Sequence, residues 1–145
     1  MITIGRKDKI TLPEFDLIHL EAKIDTGAYG CALHCHHVEV VKNNGTEMLS
    51  FQLLDPTHPE YEDKTYFTDK FNEKVVKNSG GYAEHRYTIE TEVVIFGQSR
   101  ITQFSLTDRK NMKYPVLLGR TFLRGEFLVD VNKKNISFKL KVNKK

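Results

Sequence analysis

Apolar residues recur along this chain in short runs with a period near two, the spacing that puts alternate side chains on one face of a strand. Ile2, Ile4, Ile10 and Leu12 sit around the turn-prone Gly5-Arg6-Lys7-Asp8, and Pro13, which cannot donate to a ladder, ends that region. Leu17–Ile24 alternates imperfectly and runs into Asp25-Thr26-Gly27-Ala28. Residues 38–41 and 48–54 flank Asn43-Asn44-Gly45-Thr46, and Asn-Gly between apolar runs signals a hairpin because both residues tolerate positive φ. Residues 75–82 turn through Gly80-Gly81 into a strand over 86–96. Further strands are expected at 101–106, 115–118 and 126–131, with a helical turn at 121–124. Over 136–142, Ile136, Phe138, Leu140 and Val142 alternate with Ser137, Lys139 and Lys141, which predicts a strand buried on one side. Residues 55–72, with Pro56, Pro59 and many charges, read as a polar surface insertion. Strands this short and frequent predict an all-β barrel or sandwich.

The length of 145 residues suits a single domain over 1–145, and nine Phe with six Tyr are enough for one core. The net charge of +3 is mild and no arginine-rich block occurs, so no nucleic-acid partner is expected. The longest apolar runs are too short to span a bilayer and the start lacks a secretory apolar region, so the expectation is a cytoplasmic protein with no membrane partner.

Both cysteines lie in Cys31-Ala32-Leu33-His34-Cys35-His36-His37. On a strand their Cα atoms would be about 13 Å apart at a rise of about 3.3 Å per residue, too far for a disulfide, so reduced thiols are expected. A zinc site drawn from Cys31, His34, Cys35, His36 and His37 is the alternative. A strand turns His34 and His36 one way and Cys35 and His37 the other, so no face offers three converging ligands and no metal or other cofactor is expected. His34 reads first as a buried, hydrogen-bonded strand histidine, with a place in the substrate site as the second reading. Tyr82 and Tyr114 read as packing residues.

Asp25-Thr26-Gly27-Ala28 after an apolar strand end resembles the active-site loop of aspartic peptidases. There one carboxylate approaches another; like charges so close cannot both ionise, so the pair shares a proton and supplies a base and an acid together. Thr26 would fix the loop, and Gly27 would let the backbone approach substrate. Downstream come the Gly80-Gly81 hairpin and then Val116-Leu117-Leu118-Gly119-Arg120 before Thr121-Phe122-Leu123. That order resembles a retropepsin, which implies a retropepsin-like acid-protease half-barrel with a flap hairpin, one short C-terminal helix, and a Gly-Arg segment supporting the catalytic loop.

A closer resemblance is to the bacterial retropepsin-like peptidases often called ATP-dependent zinc proteases, which accompany ATP-grasp glutamate ligases. It rests on Ile4-Gly5-Arg6 with Leu12-Pro13, Ala22-Lys23-Ile24 leading into the Asp25 loop, and Ala32-Leu33-His34. Ser79-Gly80-Gly81 with Arg86 and Ile89-Glu90-Thr91, then Leu106-Thr107-Asp108-Arg109, Tyr114 through Arg120, and Phe127-Leu128-Val129-Asp130 complete it. No phosphate-binding Gly-x-x-x-x-Gly-Lys loop or His-Glu-x-x-His helix matches the words ATP and zinc. Two departures stand out. Tyr29-Gly30-Cys31 replaces the family's Arg-Thr-Ser, and no acidic residue follows the loop to pair Arg120, which leaves Asp108, Asp130 or substrate as its expected partner.

A single Asp-Thr-Gly supplies half a dyad, so a homodimer is expected, with Asp25, Thr26 and Gly27 as the catalytic loop of each chain. The resemblance implies removal of glutamates from a tail, by peptide or isopeptide hydrolysis, and hence an acidic peptide or glutamylated protein as substrate. Ala28, His34, Ser79, Gly80, Gly81, Arg86, Arg109 and Arg120 are the expected substrate contacts, with Lys110 and Lys113 as weaker cations. The competing readings are a non-catalytic peptide-binding module with the same fold and a metal-dependent hydrolase built on Cys31, His34, Cys35, His36 and His37.

Overall fold

A computed structural model describes residues 1–77, 80–107 and 113–143, without the side chains of 76–77 and 141–143. The strands are β1 (Ile2–Ile4), β2 (Lys7–Leu12), β3 (Leu17–Ile24), β4 (Cys31–Asn43), β5 (Thr46–Leu53), β6 (Thr65–Thr68), β7 (Asn72–Lys77), β8 (Ala83–Ile95), β9 (Gln98–Thr107), β10 (Val116–Leu118) and β11 (Phe127–Val129). The helices are α1 (Arg120–Leu123) and α2 (Ile136–Asn143), and Pro13–Phe15 forms a 3-10 turn directly after β2. The fold is the all-β, retropepsin-like one expected.

Six strands close into a barrel in the order β10-β3-β2-β8-β9-β4, with β4 pairing back onto β10. Closure removes the exposed edges that a half-barrel would present. It depends on β10, whose three residues pair in parallel with Ala22, Lys23 and Ile24 on one side and antiparallel with Leu33 and Ala32 on the other. Ile10, Leu12, Leu20, Ala22, Leu33, Val93, Phe104, Val116 and Leu118 are all buried and make the core. The imperfect alternation of β3 therefore still delivers an inward face.

Two strands outrun the barrel. The first residues of β4 pair with β9, while Cys35 onward pairs with β5. The β4–β5 hairpin turns at Asn44 (φ 53°) and Gly45 (φ 81°), the two positive values that Asn-Gly supplies at low cost. Likewise the later part of β8 pairs with β9, and its first residues pair with β7 to make the hairpin expected around Gly80-Gly81. The 55–72 stretch is more than a polar loop: β6 pairs with β5, and Tyr66 packs against Phe15 and Phe51 with ring centroids 5.0 and 5.8 Å away.

One element differs from its expectation. Residues 136–142 are helical, not a strand. The cause lies far away in sequence: the fully buried Asp8 carboxylate accepts from the backbone N–H groups of Ser137 (2.9 Å) and Phe138 (3.2 Å). Those are among the donors a helix leaves unpaired at its start. Ser137 is buried because its hydroxyl accepts from Phe96 N (2.8 Å), while Leu140 stays half exposed, so alternation did not mark a buried face. Gly5 lies against this region; a Cβ there would fall 2.3 Å from Lys133 O. No helix among the described residues is long and apolar enough to cross a membrane.

Candidate active site

β3 delivers Asp25 to one end of the barrel. Ile24 N donates to Arg6 O (3.0 Å) and Asp25 N to Leu118 O (2.9 Å), so the residue that precedes β2 and the end of β10 hold the strand end from both sides. The loop then folds on itself, with Gly27 N donating to Asp25 Oδ1 (2.9 Å) and Ala28 N to Asp25 O (3.2 Å). This leaves the other carboxylate oxygen for a reaction partner. Asp25 is half-buried, whereas Thr26 and Gly27 are exposed at the tip.

The Gly119-Arg120 turn grips this loop. Arg120 N donates to Ala28 O (2.8 Å) and Thr121 N to Tyr29 O (2.9 Å). A Cβ at Gly119 would stand 2.2 Å from Gly30 O and 2.7 Å from Ala28 O, so the close approach of the two backbones admits only glycine. The Arg120 side chain donates from Nη1 to Thr26 O (3.1 Å) and lies over the Tyr29 ring at 5.8 Å. Its partner is thus the loop carbonyl and not Asp130, which faces Lys133 at 4.0 Å; Asp108 lies outside the described residues. Tyr29 is also approached by the Arg124 guanidinium at 5.7 Å.

A cleft of about 870 Å³ opens beside Asp25. Ala28, Arg86, Tyr87, Leu106 and Thr107 line it together with His37 and His85, which sequence reasoning did not single out for this role. Arg86 Nη2 donates to Glu84 Oε2 (3.4 Å), and His85 is paired with Glu73 across the hairpin. Burial, with Glu73 nearby, pushes the Tyr87 phenol up, so its hydroxyl stays a neutral donor. Gly81 takes φ +82°, a conformation that glycine alone adopts freely, and Gly80 beside it is exposed. Tyr82 is 74% exposed and does not serve core packing. Ser79, Arg109 and Lys110 lie outside the described residues.

His34 is not at the cleft surface. It is buried, with its Nε2 at 2.6 Å from Asp55 Oδ2 and its Nδ1 at 3.3 Å from Thr107 O, so it ties the 55–72 stretch to a residue that lines the cleft. Hydrogen bonds from the Thr57 hydroxyl and from His34 hold the Asp55 carboxyl at about 2. His36 and Cys35 are similarly committed. His36 Nδ1 donates to Leu54 O (2.5 Å) and the Cys35 thiol to Leu33 O (3.5 Å). Cys31 is buried beside Thr121 Oγ1 (3.9 Å), and burial raises its thiol, so no thiolate is favoured there. A bulge between His36 and Glu39, with His37 at φ 53°, breaks the strict alternation expected of this strand. Both cysteines are free, and no group of three or more potential ligands among the described residues is placed to hold a metal ion.

A family model for the retropepsin-like aspartic endopeptidase RimB matches residues 3–139. A probable alpha-L-glutamate ligase of Parasynechococcus marenigrum is 29% identical over 133 residues, covering 89% of this chain and 28% of that protein. One of Shewanella pealeana is 27% identical over 131 residues, with 88% and 28% covered. The chain thus spans little more than a quarter of these curated relatives. A solved structure of a Legionella pneumophila protein of unknown function superposes with a TM-score of 0.73 at 26% identity, over 94% of this chain and 98% of that one. Motif order, barrel and Asp25 loop agree with the family match, and the chain belongs to the RimB-like family of retropepsin-like aspartic endopeptidases.

Proposed function

We propose that this chain is an aspartic peptidase acting as a homodimer, with Asp25 of each copy supplying half of a carboxylate dyad. The single observation that carries the reading is the Asp25 loop. It is locked by Gly119 and Arg120, leaves one carboxylate oxygen uncommitted among the described residues, and opens on a cleft lined in part by Glu84, His85, Arg86 and Tyr87 of the β7–β8 hairpin. Two such loops facing across a two-fold axis would share one proton and hold a water. The ionised Asp25 would take a proton from that water as it attacks the peptide carbonyl, and the protonated one would stabilise the developing oxyanion. The hairpin tip at Gly80-Gly81 would close over the chain and exclude bulk water.

The substrate we propose is a glutamate-rich peptide or a glutamylated protein. Arg86 inside the cleft supports this, as a guanidinium matched to carboxylates. So do the relatives named probable alpha-L-glutamate ligase, which share this segment. The proposed setting is cytoplasmic. Asp25→Asn should lower kcat on oligo-glutamate about 1,000-fold or more, the scale of losing an acid–base group, with its thermal unfolding unchanged. Turnover that survives the substitution would overturn the mechanism.

A further inference from the structure

A second groove, of about 600 Å³, abuts the Asp25 cleft, and Gly30, Cys31 and Ser105 belong to the walls of both. Its other walls carry Lys74, Thr88, Arg100 and Gln103, with Tyr29 and Ile101 as exposed apolar surface. Among the described residues no acidic side chain lines it, although the β8–β9 register sets Glu90 opposite Gln103 and Glu92 opposite Ile101 at its margin. Lys74 has no ion-pair partner among the described residues, whereas Arg100 is partly offset by Glu126 at 3.0 Å. The strand register links this groove to the cleft. Lys74 stands directly opposite Arg86 on β7 and β8, and Thr88 opposite Ser105 on β8 and β9. Directly opposed residues share a face with Cβ atoms about 5 Å apart. One cation on the cleft side is therefore followed by another on the groove side.

Resting on the peptidase reading above, we infer that this groove is an extended subsite for the acidic residues flanking the bond held at Asp25, with Lys74 as its specificity-determining cation. A glutamate side chain suits both of its surfaces. The two methylenes lie on Ile101 and Tyr29, and the carboxylate reaches Lys74 while Thr88 and Gln103 offer hydrogen bonds. A peptide too short to leave the cleft gains nothing from the groove, and a longer one does.

The test uses the full chain carrying Asp25→Asn, so that binding is read apart from turnover. Labelled oligo-glutamates of three, six and nine residues are titrated by fluorescence anisotropy at low and high salt. Affinity should rise with length, and this rise should fall away as salt screens the contact. Adding Lys74→Glu should cost the nine-residue peptide about fivefold or more in affinity, the scale of about 1 kcal/mol, and leave the three-residue peptide nearly unchanged. Lys74→Met, which keeps the aliphatic stem, should give an intermediate loss, and thermal unfolding of each variant reports its folding. A rise of affinity with length in the Lys74→Glu protein as steep as in the Asp25→Asn parent, or no binding of any length by that parent, would overturn the subsite. If the unmutated chain fails to cleave these peptides while the length dependence stands, the peptidase mechanism falls and the groove does not.

Discussion

Gly119 shows how much one residue decides at this site. Its backbone lies so close to the carbonyls of Ala28 and Gly30 that a methyl group would overlap both. Gly119→Ala is expected to cost about 2 kcal/mol in stability, as overpacking does, and to lower activity about 100-fold by displacing the loop. Urea unfolding read beside kinetics checks this, and wild-type activity would show that the loop is not held there. Arg120 is next in the same turn, and its side chain finds the Thr26 carbonyl. The sequence displayed the Gly-Arg pair, but a backbone carbonyl partner has no signature in residue types, so acidic partners were expected instead. His34 was legible as a buried, hydrogen-bonded histidine; that Asp55 would be its partner was not, because the two meet only through the β4–β5 hairpin.

At the scale of elements, α2 is the instructive case. Its alternating sequence fits a strand, yet Asp8 supplies acceptors for the N–H groups of Ser137 and Phe138, and a short helix results. The aspartate also accepts from Lys9 N (2.8 Å). Asp8→Ala would strand buried donors on both β2 and α2 and should destabilise the fold by about 2 kcal/mol or more. A lower urea midpoint with a loss of helical circular dichroism is the expected result; a midpoint unchanged from the parent would remove Asp8 as the cap. The hairpins were read more directly, because Asn44-Gly45 and Gly80-Gly81 name backbone conformations that few other residues adopt. What a turn residue does not name is the pairing across the hairpin, which is how Lys74 came to face Arg86 unannounced.

For the whole molecule, the closed barrel fixes one Asp25 loop per chain, and the proposed dimer makes each site depend on two copies. Mixing the wild-type chain with an equal amount of the Asp25→Asn chain, after subunits have exchanged, should therefore leave about half of the starting activity, since half of the wild-type chains then sit in mixed pairs. Activity equal to that of the wild-type chain alone would mean that each chain works without its partner's carboxylate. The same dependence should make specific activity fall on dilution, which enzyme assays across a concentration series would detect.

The amino-acid sequence by itself determined the strand-rich class, the Asp-Thr-Gly loop, the glycine-tipped hairpins and the order of motifs, because these follow from local periodicity and from backbone conformations that particular residues prefer. Only the tertiary structure decided that the barrel closes through β10, that Asp8 makes a helix of 136–143, that His34, Cys35 and His36 bond to protein partners, and that a cation-lined groove continues from the cleft. Each of those joins residues distant in the chain. A hydrogen-bond partner or a cross-strand neighbour is set by register and closure, and neither is written in the spacing of any one segment.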